Sequence, residues 1–211
     1  MPPVLAPSPA KPDVPPAAEP AAPTVSIHPP QGEWTVELWA ELPEDAPPCE
    51  LADGCLELLP MTTNDHIRLQ KRLERVLDAV AGEMRVFDNG PKLRVFEKTG
   101  RIPDVVVFAE ELPPGDATAV EAATVLIAVE VLSPGRLQVH RDTVTKRAEY
   151  AAAGIAEYWI ADLDAKTITQ LRLPDGDEDR SYEEVAVHDA SSTLTTPLLP
   201  QLSLPIGELF A

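Results

Sequence analysis

Residues 124–132 have the sequence TVLIAVEVL, and this apolar run indicates the class of fold. A run of Val, Leu, Ile and Ala without alternating polar residues predicts a strand that is buried on both faces, as in the parallel part of an α/β sheet. Glu130 interrupts the run. An unpaired ionised carboxylate in such a strand would cost several kcal/mol, so we expect Glu130 to be paired, protonated or bound to a metal.

Further strand and helix patterns flank this run. Before it, residues 63–83 have the apolar spacing of a helix, and three short apolar segments separated by turns predict strands. After it, the sequence predicts a helix from about Asp142 to Ala153, followed by three strands. We expect the Pro-interrupted residues 196–210 to pack over one edge. The order of elements predicts an α/β domain with a central mixed β-sheet flanked by helices.

An N-terminal β-hairpin is predicted from residues 49–59, CELADGCLELL. Asp53-Gly54 is the signal of a two-residue turn. In the resulting register one face of the hairpin is apolar, and on the other face Glu50 lies opposite Glu57. Two like charges at opposite positions are unfavourable unless solvent or a cation relieves them.

The composition divides the chain in two. Residues 1–30 contain 11 of the 24 Pro and few large apolar side chains, which predicts a disordered arm that serves as a spacer or as a docking peptide for a proline-binding partner. Residues 31–211 then form a single domain. The sequence has no apolar run of ~18 residues and no signal-peptide pattern, so we expect no membrane span and a cytoplasmic protein.

The net charge of −18 argues against non-specific coating of nucleic acid. The charge is unevenly distributed, however. Between Arg68 and Arg147 lie 13 of the 17 Lys and Arg against 12 Asp and Glu, which leaves this part at +1 and the remainder at −19. We expect the basic residues to surround a local site, where nucleic acid could still bind.

Asp104 begins the apolar strand in residues 101–108, RIPDVVVF. Alone, this Asp could cap the start of the strand. If its strand neighbours that of Glu130, however, the two carboxylates converge at one end of the sheet. Two carboxylates with backbone carbonyls and water form a hard-oxygen site that suits Mg²⁺ or Mn²⁺.

Lys146 shares one helix face with Asp142 and Tyr150, because the three residues are spaced by four. In one interpretation Lys146 forms only a surface ion pair with Asp142. In the other it lies beside the two carboxylates, where its ammonium would orient an attacking water and stabilise charge developing on a phosphate.

This order of Asp, Glu and Lys resembles the PD-(D/E)XK superfamily of restriction-endonuclease-like nucleases. It is more closely similar to the bacterial family of putative restriction endonucleases labelled domain of unknown function 820. The resemblance covers about residues 34–210. The matching segments include ELADGCLELLP, RIPDVVVF, VEVLSPG and DTVTKRAEY. It implies a restriction-endonuclease-like core, Mg²⁺- or Mn²⁺-dependent hydrolysis of DNA, and a homodimer.

The resemblance also assigns roles to individual residues. Asp104 matches the metal-binding Asp of the PD motif, and Glu130 matches the acid of the next motif, with a backbone carbonyl near Val131 as a further metal ligand. The superfamily usually has Lys two residues after that acid, where this chain has Leu132. Lys146 matches the position on the following helix that carries the Lys in the closer family.

Glu50 and His66 match two further recurrent positions of the family. The resemblance leaves open whether they approach the metal or substrate, or are structural. Three functions follow: a metal-dependent DNA endonuclease, a weakly active or inactive nuclease-fold module that binds nucleic acid or a protein partner, and a hydrolase of small phosphoesters. The absence of Lys at position 132 and the high acidity motivate the second.

Overall fold

The computed structural model describes residues 29–211 except 44, 83, 89–90, 110–118, 134 and 177–178. The predicted arm, residues 1–30, therefore lies outside the described residues apart from Pro29 and Pro30. One of the turns predicted between the three short apolar segments, at residues 89–91, lies largely outside them as well. Across the described part of the chain, no helix has the length and apolar character needed to cross a membrane.

Thirteen strands and five α-helices are found within the described ranges. In chain order they are α1 (Val36–Ala40), β1 (Cys49–Ala52), β2 (Cys55–Leu58), α2 (Asn64–Ala81), β3 (Arg85–Asp88), β4 (Leu93–Phe96), β5 (Thr99–Arg101), β6 (Val105–Phe108), β7 (Val120–Glu121), β8 (Val125–Val131), α3 (Arg136–His140), α4 (Lys146–Ala153), β9 (Glu157–Asp162), β10 (Thr167–Arg172), β11 (Glu183–His188), β12 (Thr193–Thr196), β13 (Leu199–Pro205) and α5 (Ile206–Leu209). A 3-10 turn, Ala122–Thr124, precedes β8, and a π-helical segment, Arg141–Thr145, joins α3 to α4.

The predicted central mixed sheet is confirmed. It has six strands in the order β11-β10-β9-β8-β6-β3. Strands β8 and β9 are parallel, and the helical stretch from α3 to α4 crosses between them. The other neighbours in this sheet pair antiparallel. The mixed α/β class predicted from the sequence is therefore correct.

The middle strands of the central sheet, β6, β8 and β9, are buried on both faces. Val105 and Val107 of β6 pack in the core that contains the Leu side chains of α2. The intervening Val106 and Phe108 pack in a second core with Tyr150 of α4. Alternation along the strand sends successive side chains to opposite faces, so a continuous apolar run is required here.

The helix between β8 and β9 begins earlier than predicted. We expected it to start near Asp142, but α3 begins at Arg136 and continues through the π-helical segment into α4. No residue of α3 is buried, and Leu137 is 82% exposed. The sequence prediction failed here because a helix that packs against nothing shows no apolar periodicity.

The C-terminal segment packs on a face of the central sheet, and the prediction that it covers an edge is wrong. Strands β12 and β13 form a hairpin, and Leu202 and Leu204 join the same core as α2. Pro200 and Pro205 are tolerated in β13 because, of the described strands, it pairs with β12 alone, so one of its sides needs no backbone donor.

A second sheet, with strand order β2-β1-β5-β4-β7, holds the N-terminal hairpin. Glu50 pairs with Glu57 in the predicted register. Gly100 of β5 lies against the ring of Trp39, and a Cβ atom at this position would come within 2.3 Å of the ring. The strand can therefore approach the tryptophan only without a side chain, and this contact positions the adjacent Arg101.

Helix α2 begins at a side-chain cap that also fixes the backbone of His66. The hydroxyl of Thr63 accepts a hydrogen bond from the His66 amide at 3.2 Å. We expect Thr63→Ala to lower the free energy of unfolding by about 1 kcal/mol, because an orphan amide at the helix start loses its acceptor. Urea denaturation would measure the change. Thr62→Ala, one residue outside the cap, is the control, and an equal loss in both variants would contradict the assignment.

Candidate active site

Asp104 lies where β6 begins, and both of its carboxylate oxygens have protein partners. Oδ1 lies 2.9 Å from His66 Nε2, and Oδ2 accepts a hydrogen bond from the Val131 amide at 2.7 Å. The Gln70 side chain donates to the Asp104 carbonyl at 2.8 Å. These bonds hold the carboxylate against the end of β8.

Glu130 is brought to the same end of the sheet by strand pairing. Strands β6 and β8 are neighbours, and Val105 pairs with Val129, so the next positions along the two strands set Asp104 against Glu130. Glu130 Oε1 accepts hydrogen bonds from Lys146 Nζ at 2.8 Å and from the Tyr150 hydroxyl at 2.9 Å. The expectation that this buried carboxylate is paired is confirmed.

Burial determines the protonation behaviour of Glu130. The side chain is 5% exposed. Burial raises the pKa of Glu130 well above its ordinary value, and the neighbouring Asp104 and Asp142 raise it further against the effect of Lys146. The single ammonium beside Glu130 therefore does not compensate the cost of its negative charge. A second cation at this point would favour the ionised form.

Lys146 lies inside the protein, so the interpretation as a surface pair with Asp142 is wrong. Its side chain is 1% exposed, and Nζ lies 2.8 Å from Glu130, 2.9 Å from Glu50 and 3.7 Å from Asp142. Burial alone would lower the pKa of Lys146, but the three carboxylates raise it overall. Lys146 is therefore a charged ammonium shared between carboxylates.

Glu50 is fully buried, and each of its oxygens has a partner. Oε1 accepts from the Ile102 amide at 3.0 Å and pairs with Lys146, and Oε2 pairs with Arg101 at 3.2 Å. Burial alone would raise the pKa of Glu50, but Lys146 and Arg101 hold it below its ordinary value. Glu50 and Glu130 thus share one ammonium and have pKa values displaced in opposite directions.

Arg101 is the cation that relieves the like-charge pair of the hairpin. Its guanidinium contacts Glu57 at 3.6 Å as well as Glu50, and it binds both oxygens of Glu149 at 2.8 Å. The guanidinium is 1% exposed. This contact connects the N-terminal hairpin to α4, which also carries Lys146.

All six residues proposed from the sequence lie around one cavity of about 430 Å³. They are Glu50, His66, Asp104, Glu130, Val131 and Lys146. Ser133, Arg141 and Asp142 line it as well. The structure therefore brings the residues together, whereas the roles assigned to them by the resemblance remain predictions.

The donors around this cavity are suited to a hard divalent cation with few protein ligands. Among the described residues, no three His, Cys, Asp or Glu side chains converge in the manner of a closed metal cage. Mg²⁺ does not require one, because it is commonly held by one or two carboxylates together with water and substrate phosphate. Asp104 and Glu130 supply two carboxyl groups. Burial raises the pKa of Glu130, and a bound cation would favour its ionised form.

Within the described ranges, the expected ring of basic residues does not line the cavity itself. Of the Lys and Arg in the described part of the chain, only Arg141 and Lys146 line the cavity. Others pair elsewhere: Arg94 contacts Glu37 and Glu121, and Lys71 contacts Asp88. Many of the basic residues between 68 and 147 are therefore paired with nearby acidic residues and do not face the cavity.

Sequence reasoning missed several residues that support the site. Arg101 and Gln70 have no motif of their own, although Arg101 is the first residue of the matched segment RIPDVVVF. The spacing by four predicts that Tyr150 shares a helix face with Lys146, but it does not predict the hydrogen bond that the Tyr150 hydroxyl donates to Glu130. Tyr158 is fully buried, and its hydroxyl donates to the Asp142 carbonyl at 2.8 Å.

The family model described as Uma2, putative restriction endonuclease, matches residues 36–207. A solved structure, described as a putative nuclease belonging to DUF820 from Anabaena variabilis ATCC 29413, is similar with a TM-score of 0.66. The match has 22% sequence identity and covers 84% of this chain and 97% of the other; at this identity it is evidence of a shared fold alone. No curated protein is significantly similar. Because the family model spans most of the described domain, the chain belongs to the Uma2 family of putative restriction endonucleases.

Proposed function

We propose that the protein is a metal-dependent DNA endonuclease that hydrolyses phosphodiester bonds with Mg²⁺ or Mn²⁺. Membership of the family supports a nuclease-like function. The observation that carries the proposal is the cavity between Asp104 and Glu130, where burial raises the pKa of one of two opposed carboxylates. When bound, the metal would lower the pKa of a water and polarise the scissile phosphate.

Asp104 and Glu130 would hold this metal, with a backbone carbonyl near Val131 as a third protein ligand. His66 would orient the Asp104 carboxylate and would not bind the metal, because its Nε2 already lies 2.9 Å from that carboxylate. The Val131 amide fixes the other oxygen of Asp104. Two bonds to the protein therefore orient the carboxylate before any ligand binds.

Lys146 would orient the attacking water with the donor that its carboxylate partners leave available. An ammonium has three N–H donors, and short contacts with Glu130 and Glu50 account for two of them. Glu50 would act as a positioning residue, since both of its oxygens are committed to protein donors.

A homodimer would allow both strands of a duplex to be cut. The proposed enzyme would act in the cytoplasm.

The proposal is tested by incubating the purified full chain with plasmid and with single-stranded DNA. Cleavage should require Mg²⁺ or Mn²⁺ and should stop when the ion is chelated. Lys146→Ala should retain metal binding and lose cleavage, because it removes the water-orienting ammonium. An absence of cleavage with either ion, in protein shown to be folded by circular dichroism, would contradict the proposal.

One observation favours the alternative of a nuclease-fold module that binds without cutting. Lys146 is buried between two carboxylates, and both oxygens of Asp104 are engaged by the protein. Calorimetric titration with Mg²⁺ or Mn²⁺ separates the two functions. Binding that disappears in Asp104→Asn and Glu130→Gln supports the enzyme, whereas DNA or protein binding without any metal dependence supports the module.

A further inference from the structure

Arg141 lies where the candidate active site meets a neighbouring cavity. It lines the 430 Å³ cavity together with Asp104 and Glu130, and it also lines an adjoining cavity of about 490 Å³ to which the hairpin contributes Glu57. Its backbone belongs to the π-helical segment that joins α3 to α4. Single π-helical turns within α-helices are frequent at functional sites.

Among the described residues, Asp142 alone anchors the Arg141 side chain, and it does so at one nitrogen. Nε lies 3.2 Å from Asp142 Oδ1, and the side chain is 18% exposed. Within the described ranges, the two terminal nitrogens have no protein partner. A guanidinium has five N–H donors, so four remain for a ligand in the cavity.

The charge around the cavity makes Arg141 the group best suited to an anion. Four carboxylates line the cavity, from Glu50, Asp104, Glu130 and Asp142. Lys146 commits two of its three donors to short contacts with Glu50 and Glu130, and Asp142 lies 3.7 Å from its ammonium. Among the described cations that line the cavity, Arg141 alone has most of its donors uncommitted. A phosphodiester that approached the two opposed carboxylates would therefore meet attraction from this side chain.

We propose that Arg141 binds the scissile phosphate of DNA through its terminal nitrogens, while Asp142 holds the guanidinium in position. The planar fork of Arg matches two phosphate oxygens and is more selective in geometry than an ammonium. The proposal rests on the proposed function and adds a catalytic residue that acts independently of the metal ligands. It also gives Asp142 a positioning role that the motif match did not assign.

The test compares DNA binding by variants of the full chain. A Glu130→Gln background prevents cleavage, so anisotropy can be measured on an intact short duplex. Adding Arg141→Gln should weaken binding about 10- to 100-fold, the effect of losing charge-assisted hydrogen bonds. The slope of log affinity against log salt should fall by about 0.9, because one phosphate contact is lost. Arg136→Gln, with the same charge change on exposed α3, is the matched control.

Two further measurements separate a phosphate contact from a general loss of charge or structure. On an uncharged methylphosphonate duplex, the difference between Arg141→Gln and its parent should disappear. Arg141→Lys should keep the salt slope and still bind more weakly, since it retains the charge without the fork. If Arg141→Gln is unfolded by circular dichroism, the Arg141→Lys comparison decides the question.

The outcomes distinguish this inference from the proposed function. If the wild type cleaves DNA but Arg141→Gln binds like Arg136→Gln, or Arg141→Lys binds like its parent, the inference is overturned and the proposed function stands. If the wild type neither binds nor cleaves DNA, both are overturned. A loss that persists on the methylphosphonate duplex would make Arg141 a structural residue and would also overturn the inference.

Discussion

Asp104→Asn and Glu130→Gln should each abolish metal-dependent DNA cleavage, with a loss of about a thousandfold or more. The reason is that metal ions supply several kcal/mol of transition-state stabilisation, and about 4 kcal/mol corresponds to a thousandfold in rate. An amide has the shape of a carboxylate but lacks its charge. Each variant should therefore keep the geometry of the site and lose affinity for the cation.

The measurement is the cleavage rate on plasmid DNA, combined with calorimetric titration of Mg²⁺ or Mn²⁺. Asp78→Asn and Glu183→Gln make the same changes at exposed positions and serve as controls. Both controls should cleave DNA at the rate of the wild type. Full activity in either Asp104→Asn or Glu130→Gln would show that the metal assignment is wrong.

Glu50→Gln should destabilise the protein by about 3–5 kcal/mol, the usual consequence of removing one member of a buried ion pair. The carboxylate lies between Lys146 and Arg101, and all three side chains are almost fully buried. Its removal leaves two buried cations with less compensating charge. Glu130→Gln should lower stability by no more than about 1 kcal/mol, because the amide keeps an acceptor and removes a charge that burial disfavours.

Urea denaturation at neutral pH measures both variants. Glu57→Gln is the matched control, because Glu57 contacts the same guanidinium from a position that is 47% exposed; its loss should stay below about 1 kcal/mol. Equal losses in Glu50→Gln and Glu57→Gln would contradict the proposed importance of burial.

The effect of Glu50 on stability should also depend on pH in a defined direction. Burial alone would raise the pKa of Glu50, but Lys146 and Arg101 hold it below 4.5 in the folded protein. A carboxyl with a lowered folded pKa stabilises the protein above its unfolded pKa, and this stabilisation is lost as the pH falls through the folded value. The difference between wild type and Glu50→Gln should therefore shrink as the pH falls below 4.5. A constant difference would contradict this prediction.

Local patterns in the sequence were sufficient for most elements of the fold. The apolar run around Glu130, the Leu spacing of α2 and the Asp-Gly turn of the hairpin each specify a local structure without reference to the rest of the chain. The prediction failed for α3 and for the C-terminal hairpin. Exposed α3 has no apolar face, and the two prolines of β13 concealed a strand that pairs on one side only.

The sequence by itself determined which residue types are available to the site. It placed a carboxylate in a doubly buried strand, an Asp at the start of the next apolar strand and a Lys on the following helix. These are local properties, since burial and periodicity appear within a few residues. The resemblance to a nuclease family rests on the same segments, and family membership was confirmed.

Only the tertiary structure decided how charge is shared among these residues. The register of β6 and β8 opposes Asp104 and Glu130, and the packing of α4 against the hairpin places Lys146 between Glu130 and Glu50. Arg101 helps to lower the pKa of Glu50, whereas burial raises the pKa of Glu130. Electrostatic energies depend on distances between groups far apart in the chain and on their burial. Such distances have no signature in the local sequence. The contacts of Arg101 and Arg141 with the site could therefore be identified only in the folded protein.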